Sequence, residues 1–544
     1  MKRSHLLCYL MACILTVTLT APSFAVGIDE VRVEKPVKNV ILMIPDGMST
    51  AAVILARWYN GGDLNLDSMA SGLVRTYSSD APIADSAPAS SAMATGYKTH
   101  TGFIGVLPDV NSMPGLEKLD PAKRRRPVAN ILEAAKLSGR ATGVVATCEI
   151  MQATPATFTA HYPDRKAYDI LSKQQAYSGV DVVLGGGTDY FKPAGRSDGN
   201  DLYSVIKQDY QVVHTSAEMN RVTSGKVWGM FAPSIMAYDL DRDASQEPSL
   251  AEMTKKAIEL LSQDEDGFFL MVEGSKIDWA AHSNDPVALV SDCLAFDKAV
   301  GVALDFAKQN GETVVIAATD HGTGGISIGN SATSSTYDEI PLNDIIAPLK
   351  KATLTGEGLE KVMAPDRNNA VEVLAKYYGL SNLTSDEIEA VKENTYYGYL
   401  GYTVGPMLAQ HCGIGFTTGR HTGEDVTLYV YAPRGVDQLT GTVENTDIAR
   451  YMEILMGLSL DDTTKKLFVP ARKAFEAQGA KVEFDTTDKK NPVLTVTRGE
   501  TIIKMPVHTN IAYVNGAAAE LEGVVVFDGV GTTYVPQGAL ELLQ

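Results

Sequence analysis

The sequence predicts an α/β fold: a doubly wound, mainly parallel central sheet flanked by helices, with an insertion near the active site and a small β-rich domain at the C-terminal end. Three observations carry this. Short apolar runs without alternation recur along the chain and end at polar or acidic residues. Helical patterns separate them. After about residue 460 the pattern changes to short β-like runs joined by turn residues.

Residues 37–44 (VKNVILMI) end at Pro45-Asp46-Gly47, and 141–147 (ATGVVAT) lead toward Glu149. Residues 180–184 (VDVVL) end at a triple glycine, 267–272 (GFFLMV) at Glu273-Gly274, and 313–319 (TVVIAAT) at Asp320-His321. Unbroken apolar runs of this length suit strands buried on both faces, as in a parallel sheet. Helical periodicity over 128–137, 250–262 and 287–310 supplies the crossovers. Ligands of such sheets bind beyond the carboxyl ends of the strands. Asp46, Glu273, Asp320 and His321 are therefore predicted to converge although they are far apart in sequence.

Residues 327–411 hold no central-strand run. A helical pattern over 368–378 and the aromatic patch Tyr396-Tyr397-Gly398-Tyr399 mark this segment as an insertion near the mouth of the site. Residues 463–479 read as one closing helix. A polar stretch follows, then β-like runs at 493–497, 501–507, 511–514, 523–527 and 532–535, with turns at Arg498-Gly499-Glu500 and Asn515-Gly516. The expected organisation is a leader over 1–25, a catalytic domain over 26–480 and a β-rich appendage over 481–544.

The leader has its own signature. Lys2 and Arg3 precede an apolar stretch over 6–19, and Ser23-Phe24-Ala25 places small residues where a signal peptidase reads. The stretch is short for a membrane span of about 20 residues. A secreted or periplasmic protein is expected, with no stable span after cleavage. Cys148, Cys293 and Cys412 then remain, an odd and scattered set that forms neither a disulfide framework nor a CxxC-type metal site. The net charge of −19 excludes nucleic acid as a default partner, because an acidic surface repels phosphate backbones. It leaves small phosphorylated substrates open, since bound metals reverse the field locally.

Five stretches carry chemistry. Asp85-Ser86 precedes a run of small residues, so Ser86 would start a helix whose exposed amides and dipole favour a bound phosphate. Taken alone, Asp-Ser before small residues is more commonly a plain helix cap. In V-E-G-S-K-I-D-W-A-A-H, Asp278 and His282 stand four apart and share one helix face, a good pair of zinc ligands. Asp320-His321 follows the strongest apolar run, with Gly322 allowing a turn. His421 lies in Gly-Arg-His-Thr-Gly, with room for a ligand. Thr154 offers a hydroxyl to a hard cation, and Arg165 offers a bidentate fork for phosphate. His161 reads as structural.

In this order over about 37–460, these pieces resemble the alkaline phosphatases. The resemblance implies Ser86 as a phosphorylated nucleophile, with Arg165 clamping phosphate and Asp85 orienting Arg165. It implies two zinc ions, one on Asp278, His282 and His421 and one on Asp46, Asp320 and His321. A third metal, normally magnesium, would take Asp46, Thr154 and Glu273. The family is often dimeric, so a homodimer is an expectation. Gln152 departs from the pattern: members usually carry Asp or His there, beside the third metal. Trp279 stands where some members carry Lys or His and other bacterial members carry Trp. Pro88 interrupts the small-residue run, though a first helical turn tolerates proline.

The segments YVNGAAAELEG and TTYVPQGALELL resemble copper amine oxidase N-terminal-like modules of secreted bacterial proteins, which implies no copper here. Such a module is expected to contact the cell envelope. The same residues argue against other functions. A sulfatase needs C/S-x-P-x-R, and Ser86-Ala87-Pro88-Ala89-Ser90 lacks the Arg. A phosphodiesterase usually lacks an Arg aimed at the extra phosphate oxygens. A metal-binding surface protein with a dead site would not need Ser86 beside a full ligand set.

Overall fold

The computed structural model describes residues 26–394 and 399–543. The expected leader, and Tyr396, Tyr397 and Gly398 of the aromatic patch, lie outside the described residues.

Ten strands form the central sheet. In chain order they are β1 (Asn39–Ile44), β2 (Ala70–Arg75), β3 (Ala141–Glu149), β4 (Val182–Gly186), β5 (Gln211–Val213), β6 (Val227–Met230), β7 (Phe268–Glu273), β8 (Thr313–Ala318), β9 (Val426–Tyr431) and β10 (Gly441–Glu444). Their spatial order is β10-β2-β9-β8-β1-β7-β3-β4-β6-β5. Strand β9 pairs antiparallel with β8 and β2, and the other pairs are parallel. Each of the five apolar runs is thus a strand of this mainly parallel sheet.

Every residue of β1, β7 and β8 is buried. Ile41 and Met43 face one apolar core, and Val40, Leu42 and Ile44 face the other. Two covered faces explain the missing alternation, and each fully buried aliphatic side chain contributes about 1.5–3 kcal/mol. The helix Pro286–Asn310 covers one face. Asp285 caps it by accepting from the amides of Val287 and Ala288, Pro286 opens it, and Gly311 ends it in the left-handed region.

Between β8 and β9 the insertion is mostly helical, including Leu342–Lys351 and Gly401–His411. Its ends meet where Ile326–Ile328 pairs antiparallel with Ile414–Phe416. The single closing helix expected over 463–479 is two helices, Leu460–Leu467 and Ala471–Ala477, split by the short strand Val469–Pro470. Pro470 lacks the amide a continuing helix needs, which breaks the run.

The C-terminal domain contains a five-stranded antiparallel sheet, Lys481–Asp485, Val493–Arg498, Thr501–Pro506, Ile511–Val514 and Ala517–Glu520. Ala471 and Phe475 pack into its core with Val482, Leu494 and Ile503. A small apolar cluster of Ala129, Leu467, Phe468, Val524, Val526 and Tyr534 joins this domain to the catalytic domain. Cys148, Cys293 and Cys412 are free and buried.

Candidate active site

Strands β1, β7 and β8 end side by side, and the residues at their carboxyl ends converge as their positions predict. After β1 the chain turns at Gly47, whose φ is +70° and whose amide donates to Asp320 Oδ1 at 3.1 Å. A Cβ there would lie 2.8 Å from Asp278 Oδ1 and from Thr323 Oγ1, so only glycine fits. His321 Nε2 lies 3.2 Å from Asp320 Oδ2 and 3.6 Å from Asp46 Oδ1.

The helix Lys276–His282 sets Asp278 and His282 one turn apart, with His282 Nε2 3.2 Å from Asp278 Oδ2. His421 arrives on the short strand His421–Thr422, paired antiparallel with Gly322–Thr323. Its Nε2 is 3.2 Å from His282 Nε2 and 3.6 Å from Asp278 Oδ1. Two ligand groups are close enough to share a cation: Asp46, Asp320 and His321, and Asp278, His321 and His421. His282 adjoins the second.

The donor chemistry fits divalent metals. His282 Nδ1 donates to the Gly419 carbonyl and His421 Nδ1 to the Ala84 carbonyl, each at 2.8 Å. Both Nε2 lone pairs therefore face inward, toward each other. Two nitrogens about 2.0–2.1 Å from one tetrahedral zinc stand about 3.3 Å apart, close to the separation seen. Such outer hydrogen bonds fix the tautomer a ligating histidine needs. Among the described residues, Asp46 Oδ1, Asp320 Oδ2 and Thr154 Oγ1 are buried without a hydrogen-bond partner. Burial, then the charges of Asp320, Asp278 and Glu273, push Asp46 well above the usual carboxylate range. Burial likewise pushes Glu273 up to about 8 and Asp320 up to about 6, while holding His321 and His421 down at about 4. Crowded carboxylates and neutral imidazoles of this kind are stabilised as ligands when cations supply the missing positive charge.

Ser86 opens the helix Ser86–Thr95 with Asp85 at its N-cap, and its Oγ lies 3.2 Å from His321 Nε2. All ten residues of that helix are buried, which its small side chains permit. Arg165 is bonded to the Asp85 carboxylate, and its Nη2 donates to Gln152 Oε1 at 3.2 Å. Asp85 Oδ2 in turn accepts from the Gly102 amide at 3.1 Å. Trp279 and His282 line a cavity of about 370 Å3 at the mouth of the cluster, together with Glu149 and Tyr399. His161 is buried away from the cluster, between Glu133 and the Gly105 carbonyl, each at 2.8 Å.

Several participants leave no mark in the sequence. Thr323 donates to Asp278 Oδ1 at 2.6 Å, and the Gly419 and Ala84 carbonyls orient histidines. Lys276, within the stretch VEGSKIDWAAH, is fully buried, 3.5 Å from Glu357 of the insertion and over the rings of Tyr238 and Trp279. A lysine next to Asp278 and His282 in a polar motif gives no hint of that burial.

A parallel sheet whose carboxyl edge gathers carboxylates, imidazoles and a serine at a helix start defines a class, the metal-assisted hydrolases. Comparison with known proteins narrows it. The family model for alkaline phosphatase matches residues 37–458, and that for the copper amine oxidase N-terminal domain matches 462–542. Alkaline phosphatase 4 of Bacillus subtilis is 36% identical over 432 residues, covering 76% of this chain and 87% of that protein. The repressible alkaline phosphatase of Saccharomyces cerevisiae is 30% identical, covering 85% and 89%. The structure of Thermus thermophilus alkaline phosphatase superposes with a TM-score of 0.68 at 28% identity, covering 81% of this chain and 97% of that one. A variant of TAB5 alkaline phosphatase, with Mg bound in its M3 site, gives 0.56 at 26% identity, covering 78% and 99%. The chain belongs to the alkaline phosphatase family. It is a phosphatase, and its family hydrolyses phosphate monoesters.

Proposed function

We propose that the chain hydrolyses phosphate monoesters through a phosphoserine on Ser86. The observation that carries this is Ser86 Oγ, 3.2 Å from His321 Nε2 at the edge of both ligand groups and at a helix N-terminus. Asp278, His282 and His421 would hold one zinc, and Asp46, Asp320 and His321 a second. Asp46, Thr154 and Glu273 would hold magnesium, whose all-oxygen preference suits that set. When bound, the ions supply positive charge that favours the serine alkoxide and the departing alkoxide.

The chain's own groups do the rest. The first amides of the Ser86–Thr95 helix face the phosphate. Arg165 offers two parallel N–H donors to its oxygens, and Asp85 holds the guanidinium in place. Ser86 Oγ bonds to phosphorus as the ester oxygen leaves with the bonding pair. Water then displaces Ser86 Oγ and releases inorganic phosphate. The leader residues support secretion to the periplasm or beyond, with small phosphorylated molecules as substrates, and a homodimer follows the family's habit. Among the described residues no helix is long and apolar enough to cross a membrane. The C-terminal domain would contact the cell envelope. Packing of Ala471 and Phe475 with that domain, together with the family match over 462–542, favours starting it near residue 462.

Ser86→Ala tests the nucleophile. Hydrolysis of p-nitrophenyl phosphate should fall by several orders of magnitude, with zinc content retained. Turnover near that of the parent would exclude Ser86.

A further inference from the structure

A cavity of about 770 Å3 lies between the catalytic domain and the C-terminal domain. That volume is within the roughly 300–1,000 Å3 usual for small-molecule sites. Two aromatic pairs line it. The catalytic domain contributes Tyr168 and Tyr190, ring centroids 5.2 Å apart, and the C-terminal domain Phe484 and Phe527, 4.9 Å apart. All four rings are only partly buried, so each keeps surface for a ligand.

Lys166, Lys173, Lys489 and Lys490 line the same cavity. Lys166 and Lys489 are exposed, and among the described residues their ammonium groups enter no ion pair. The lining carboxylates are already engaged: Asp198 bonds Arg196, and Asp169 accepts from the amide and hydroxyl of Ser197. The walls are joined by polar contacts from both domains. Lys173 Nζ donates to Asn491 Oδ1 at 3.2 Å, and Gln174 Nε2 stands 3.1 Å from His508 Nδ1. A positive, aromatic cavity stands out on a chain of net charge −19. That same charge selects the size of the ligand. A compact anion stays within the positive walls, whereas a long polyanion extends beyond them on a chain whose net charge repels it.

We propose that this interdomain cavity is a second binding site, separate from the metal cluster, for a compact organic phosphate: a ring carrying one or two phosphoryl groups. The lysines hold the phosphoryl oxygens, and the aromatic faces hold the ring. The ring can come from a nucleoside or a hexose, and the site plays no part in the proposed hydrolysis.

Calorimetry of the full-length, metal-loaded protein tests this, with vanadate saturating the metal cluster. The probes are the non-hydrolysable phosphonate analogues of a nucleoside monophosphate and of a hexose phosphate, and inorganic phosphate alone. At least one ring-bearing phosphonate should bind, and Lys166→Glu with Lys489→Glu should weaken it about tenfold or more. Which phosphonate binds identifies the ring. Lys489→Glu alone, at an exposed position, keeps the measurement readable if the double variant folds poorly. No binding, binding unchanged by charge reversal, or equal binding of inorganic phosphate overturns the proposal. Because the readout is binding under vanadate, loss of phosphatase activity in any variant does not decide it.

Discussion

Gln152 Oε1 accepts from Arg165 Nη2, while Asp85 holds the other side of the same guanidinium. The departure from the family's Asp or His therefore bears on the proposed phosphate clamp as well as on the proposed third metal. Gln152→Ala removes one of two anchors and should cost about 1 kcal/mol, or about fivefold, in substrate binding. KM and the inhibition constant for inorganic phosphate should rise together, with kcat changed less. If both stay put while the magnesium needed for full activity rises, Gln152 serves the metal instead of Arg165. At this scale much was legible from the sequence. Asp46, Ser86, Asp278, His282, Asp320 and His321 sit in motifs whose side chains carry the chemistry, and the structure brings them together. The carbonyls of Ala84 and Gly419 were illegible because every residue has one, and only the fold decides which carbonyl meets a histidine.

The element that carries Asp278 and His282 is itself held from below. Lys276, at the start of that helix, has no exposed side-chain surface, whereas the side chain of its partner Glu357 is 37% exposed. The two halves of the pair are therefore unequal. Glu357→Gln removes the hydrogen-bonded counter-charge of a buried cation that keeps the charge of the buried Asp292 as a second support, and should destabilise by about 1 kcal/mol. Lys276→Met keeps the apolar stem but withdraws the positive charge that favours the buried Asp292 carboxylate, so it should cost more, about 1–3 kcal/mol. Urea unfolding of both variants checks the order, and a larger loss in Glu357→Gln reverses the argument. Elements buried on both faces, such as β1, β7 and β8, were legible because nothing interrupts their apolar runs. Strands β2, β5, β6 and β10 were not. β2 has a single buried residue, and the other three are three or four residues long, too short for any pattern. The closing helix failed at Pro470 because amphipathic spacing continued across a residue that cannot continue a helix.

At the scale of the whole molecule, two domains are joined by an apolar cluster and by buried polar contacts, among them His508 against Gln174. Nothing in the sequence marks His508 as an interdomain residue, since its neighbours come from a helix more than three hundred positions earlier. Burial, aided by the charge of nearby Lys173, lowers the His508 pKa from 6.5 to about 3. The folded chain thus keeps this imidazole neutral where the unfolded chain would protonate it. Below pH 6.5 the unfolded state takes up a proton that the folded state refuses, so the contribution to stability is present above 6.5 and is lost as pH falls toward 3. Well below 6.5 the loss approaches about 1.4 kcal/mol per pH unit. His508→Asn removes the titration and suits the backbone, because φ is +67° and asparagine tolerates that region. Acid also weakens metal ligation, so the measurement is the difference between parent and variant at fixed zinc and magnesium. Melting temperatures followed from pH 7.5 to 5 should fall more steeply for the parent. Parallel curves would show that His508 does not set the acid sensitivity of the domain junction.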